Sequence, residues 1–94
     1  MALARVVSFD GVSKERIEQL TSEIRDGERP EGLPATEMIL LHDPAAEKSL
    51  AIIFFETDDD YRQGDATLSA MPADDVPGQR TSVTKYDVAL RMTV

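Results

Sequence analysis

The spacing of hydrophobic positions changes several times along the chain, and each change marks an element. Leu3 to Phe9 (LARVVSF) is rich in β-branched residues without helical periodicity and predicts a strand, punctuated by Asp10-Gly11. Ser13 then suits a helix N-cap, with Val12 placed to staple onto Ile17. Ile17, Leu20 and Ile24 fall on one helical face, with Lys14, Glu15, Glu18, Gln19 and Arg25 on the others; Gly27 is expected to end the helix in the C′ role. The stretch Glu28 to Ala35, with Pro30, Gly32 and Pro34, reads as a solvated connector, or alternatively as a pocket lid.

Two strands follow, Thr36 to Asp43 (TEMILLHD) and Ser49 to Glu56 (SLAIIFFE), and the Asp43-Pro44 turn between them predicts an antiparallel hairpin. Thr57 caps a second helix whose first turn, Asp58-Asp59-Asp60, complements the helix dipole. Its inner face is Tyr61, Gly64, Leu68 and Met71, and Pro72 stops it. Gly64 costs about 1 kcal/mol against alanine inside a helix, which predicts a close approach to the sheet. After a loop over Ala73 to Arg80, the segment Thr81 to Val94 alternates. Tyr86, Val88, Leu90, Met92 and Val94 lie on one side, with Lys85, Asp87 and Arg91 on the other, predicting a long final strand.

The order β-α-β-β-α-β predicts an α+β, ferredoxin-like domain spanning residues 1–94, a four-stranded antiparallel sheet with both helices on one face. Such a sheet ordinarily alternates apolar and polar positions. The hairpin does not: Met38 and Leu40 oppose Ile39 and Leu41, and Leu50, Ile52 and Phe54 oppose Ala51, Ile53 and Phe55. Apolar side chains on both faces call for a cover, and the expectation is a second copy packed sheet to sheet.

Composition narrows the chemistry. The 94 residues carry 10 Lys and Arg against 18 Asp and Glu, a net charge of −8, which argues against nucleic-acid and anionic-membrane surfaces. With no cysteine and a single histidine, disulfides, thiolate metal sites and cysteine nucleophiles are excluded, and neither a metal nor a cofactor is expected. The longest apolar run, Leu50 to Phe55, is far short of the roughly 20 residues that span a bilayer, and no apolar run near Met1 reads as a signal peptide. A cytoplasmic protein is expected, and the excess of Arg over Lys suggests a GC-rich bacterial genome.

The element order, the two-sided hairpin and the long last strand resemble the dimeric α+β barrel superfamily, which includes antibiotic-biosynthesis-type monooxygenases, stress-responsive A/B-barrel proteins and small isomerases and cyclases. The resemblance covers nearly the whole chain at the level of topology. It implies a homodimer whose two sheets form a barrel, with a cavity between sheet and helices for a small apolar or aromatic molecule. The monooxygenases typically use Asn, Trp and Tyr in the pocket, and haem-degrading relatives an Asn–Trp–His set. This chain has neither Asn nor Trp, which argues against haem degradation and weakens quinone-forming oxygenation.

His42 is the candidate catalytic acid or base, since histidine titrates nearest neutral pH; otherwise it is a half-solvated strand-end residue. Tyr61 and Tyr86 are candidate hydrogen-bonding ligand residues, with Phe54 and Met38 as apolar lining; either tyrosine would equally serve as core with its hydroxyl at the rim. The Asp58-Asp59-Asp60 run fails the EF-hand pattern, where Arg62 and Ser69 fall at ligand positions, and reads as helix capping. Arg91 is expected to pair with Asp87 on its own strand, and Glu37 and Glu56 to face water. Three functions remain: a small-molecule-binding dimer, a cofactor-independent monooxygenase or cyclase/isomerase, and an assembly module that presents an acidic surface to a protein partner.

Overall fold

A computed structural model describes residues 2–27, 33–70 and 78–94. Along the chain run β1 (Leu3–Asp10), α1 (Lys14–Asp26), β2 (Glu37–Asp43), β3 (Lys48–Phe55), α2 (Asp58–Ser69) and β4 (Gln79–Asp87). The strands form one antiparallel sheet in the order β2-β3-β1-β4, the ferredoxin-like arrangement. Expected Met71 and Pro72, and most of the two long connectors, lie outside the described residues.

Local chemistry explains the boundaries. The Ser13 side chain accepts from the Arg16 N–H, and Thr57 from the Asp60 N–H, so both expected N-caps hold. In the hairpin, Asp43 Oδ1 accepts from the N–H groups of Ala45 and Ala46, folding the turn back on itself. Gly11 takes a left-handed φ of 69° at the β1–α1 corner, where a side chain would be strained. Gly27 departs from expectation: it is the C-cap itself, with extended φ of −89°, and its N–H donates to the Glu23 carbonyl.

Register sorts the side chains into rows across the sheet. Met38, Ile53, Arg5 and Lys85 form one row; Leu40, Ala51, Val7 and Val83 form the next. This face carries both helices. Leu3, Ile53 and Phe55 pack with Tyr61 of α2, and Val7, Phe9 and Val12 pack with Ile17 of α1. Gly64 confirms the close approach: a Cβ there would fall 2.2 Å from Phe55 Cε1. Between the two clusters stands Arg5, only 3% exposed, donating through Nε to Asp65 at 2.8 Å and through Nη2 to Ser69 at 3.4 Å. Of the expected α1 face, Ile17 and Leu20 are buried and Ile24 is exposed.

The opposite, open face has three rows: Glu37, Phe54, Ala4 and Tyr86; Ile39, Ile52, Val6 and Thr84; Leu41, Leu50, Ser8 and Ser82. No helix covers it, and Ile39, Leu41, Leu50 and Tyr86 are exposed.

The last strand is shorter than its alternation suggests. The β1–β4 ladder slips between Ser8 and Phe9, where Thr81 is the extra residue and its hydroxyl donates to the Ser8 carbonyl at 3.2 Å. At its other end the ladder stops at Leu3–Asp87, with one more bond from the Val88 N–H to the Ala2 carbonyl. Beyond that bond β1 offers no further partner, and residues 88–94 leave the sheet. Arg91 pairs with Glu37, and its guanidinium lies 4.5 Å from the Phe54 ring centroid, so the expected Arg91–Asp87 pair is not formed and Glu37 does not simply face water. Leu90, Met92 and Val94 are left exposed.

Candidate functional site

Three places bring chemistry-bearing residues together, and the five candidates from the sequence are divided among them. His42 shares the helix face with Met38 and Leu40, beyond the cover of the helices. Its Nε2 lies 2.9 Å from the Val12 carbonyl, which fixes that nitrogen as the donor and leaves Nδ1 as the nitrogen able to accept a proton. The Val12 N–H in turn donates to the Glu47 carbonyl at 2.7 Å. The hairpin thus holds Val12 from both sides, and His42 is one jaw of that clamp.

Tyr61 lies beneath α2, edge-on to Phe55 with ring centroids 5.5 Å apart and with Lys85 Nζ 5.0 Å from its ring. Burial raises the Tyr61 hydroxyl above its ordinary pKa, and the Asp65 carboxylate adds to the rise against the opposing Arg5 and Lys85 cations. Lys85 also bonds Asp58, which accepts from Arg62 as well at 2.6 Å. These hydrogen bonds, Lys85 first and Arg62 second, hold the Asp58 carboxyl below the usual carboxylate range. Asp58 therefore joins cap, helix and β4. Among the described residues no group of three or more His, Asp or Glu is arranged to hold a metal ion.

The third place is on the open face. Ser8, Asp10, Leu41, Asp43, Lys48 and Leu50 share its parity and surround a half-open cavity of about 510 Å³ at the hairpin end, with Thr81 at its margin. The volume lies in the range of small-molecule sites, roughly 300–1,000 Å³. The lining combines two leucines with hydroxyls, two carboxylates and one ammonium, a mixed wall suited to an apolar body with polar substituents. His42 contributes to the rim of this cavity, but its ring is turned to the other face.

Phe54 and Tyr86 stand in the row at the far end of the open face, Met38 lies on the helix side of the edge strand, and Tyr61 is core. The structure brings Phe54 and Tyr86 onto one face and does not gather the other candidates around them. No protein-family model matches the chain, and no curated protein is significantly similar to it. The sheet order and helix placement therefore carry the fold assignment, an α+β ferredoxin-like domain. No helix among the described residues is long and apolar enough to cross a membrane.

Sequence reasoning passed over Arg5 and the hairpin-end cavity. Arg5 had a readable signal: a cation at the same strand parity as Leu3, Val7 and Phe9 needs a buried acid, and Asp65 follows the glycine of closest approach.

Proposed function

We propose that this chain is a homodimeric α+β barrel protein that holds a small apolar or aromatic molecule. The observation that carries the reading is the coincidence, on one face, of uncovered hydrophobic rows and a cavity of ligand size. A second copy laid on those rows removes them from water and roofs the cavity, and the topology agrees with the barrel superfamily that the sequence resembles. The binding wall is then Leu41 and Leu50 for the apolar body, with Ser8, Lys48 and Thr81 for its polar substituents. This site differs from the sheet–helix cavity of that superfamily.

Two measurements test it: light scattering on the full chain, and saturation-transfer NMR with a panel of aromatic and alicyclic probes. A dimer at micromolar concentration that binds aromatic probes, with binding weakened at least tenfold in Ser8→Phe, supports the proposal. A monomer removes the barrel. An intact dimer that binds none of the probes removes the ligand. No contact favours the alternative of cofactor-independent oxygenation or isomerisation, because His42 and the two tyrosines do not face a common space.

A further inference from the structure

The tail at residues 88–94 and the open face make incompatible demands within a dimer. Inside one chain the tail lies on that face, with Arg91 against Phe54 and Glu37. Sheets packed face to face stand about 10 Å apart, which is space for interdigitated side chains and not for an additional layer of backbone. Face-to-face packing therefore displaces the tail from the row of Glu37, Phe54, Ala4 and Tyr86.

The displaced tail has chemistry to satisfy. Leu90 is 77% exposed, Met92 69% and Val94 fully exposed, so the in-chain position shelters none of the three. They alternate with polar positions as a strand with one buried side does. Arg91 also needs a new acid. The open face supplies both: Ile39 and Leu41 are exposed on β2, whose outer edge pairs with no other described strand, and Glu37 is the only charge in its three rows. In a chain of net charge −8, an almost uncharged face is also where two copies repel each other least.

We infer that the partner on this face is a second copy of the chain, and that the copies exchange tails. Residues 88–94 of each protomer lie along the other's β2 side, and Arg91 pairs with the partner subunit's Glu37. The inference rests on the homodimer proposed above, and it adds that each half of the interface is completed by the other chain's last residues.

Charge reversal separates exchange from simple packing. In Glu37→Arg and in Arg91→Glu, each homodimer brings like charges together, and dimerisation is expected to weaken at least tenfold by light scattering. Mixed, the two variants are complementary across both clasps, so native mass spectrometry is expected to show heterodimers well above the statistical 1:2:1 ratio. The double variant, with the pair restored in reverse, is expected to dimerise like the parent, and circular dichroism of each single variant checks that it folds. A parent chain that is monomeric sinks the dimer and the exchange together. A dimeric parent whose single variants dimerise normally and mix statistically sinks the exchange alone, as does failure of the mixture to dimerise when the parent does.

Discussion

Gly64 presses directly on Phe55: a Cβ added to the glycine would overlap the phenyl edge at 2.2 and 2.4 Å from two ring carbons. Phe55 is completely buried, so its ring has no open space to enter. Gly64→Ala gains about 1 kcal/mol of helix propensity but overpacks the core at a typical cost of about 1–3 kcal/mol. Net destabilisation is expected, read as a lower midpoint in chemical denaturation. An unchanged or higher midpoint would show that Phe55 repacks freely.

Arg5 and Asp65 are unequal partners, because the arginine is buried and the aspartate is half-exposed. Asp65→Ala strands a buried guanidinium, whereas Arg5→Met replaces it with an apolar chain of similar length and leaves a carboxylate that water can reach. Asp65→Ala is expected to be the more damaging change, by about 1–3 kcal/mol, and Arg5→Met/Asp65→Ala less damaging than Asp65→Ala alone. Equilibrium unfolding of the three variants decides it; equal losses in both single variants would refute the asymmetry.

His42 is expected to matter to the fold through Val12. His42→Ala leaves the Val12 carbonyl without its side-chain donor in a fully buried residue, a loss of about 1–2 kcal/mol. Hydrogen exchange at the Val12 amide, which is bonded to Glu47, should quicken because the clamp has lost one jaw. Unaltered exchange would free His42 for another role.

Acid and alkali act through different residues. Asp58 has a lowered folded pKa, so its stabilising effect is present above the unfolded value of about 3.9 and lost as pH falls through the lower folded value. Lys85→Met should move the Asp58 carboxyl titration upward in NMR. Tyr61 has a raised folded pKa, so its effect is complete below about 10 and lost as pH climbs through the folded value. Tyr61→Phe should flatten the alkaline branch of the stability profile; a branch parallel to the parent's would contradict this.

Periodicity and caps were sufficient to read the element order, because Ser13, Thr57 and Asp43 act through neighbours a few residues away. Gly64 was legible for a related reason, since a glycine that weakens a helix implies something pressed against it. The path of Leu90, Met92 and Val94 was not legible. Alternation describes an extended chain equally well on a sheet or off it, and the β1–β4 ladder ends for want of residues on β1, a fact of register. The scattering of His42, Tyr61, Tyr86, Phe54 and Met38 has the same origin: parity within a strand was visible, but which parity faced the helices was not.

The extra residue at Thr81 gives the two borders of the sheet different prospects in fibril growth. A template for cross-β stacking must be straight, evenly hydrogen-bonded and free of charge. The β4 border, interrupted at Thr81 and bearing Lys85, is a poor seed. Met38 to Leu41, regular and greasy on both sides, is a good one, so in a crowded or partly melted sample this segment is where amyloid conversion should begin.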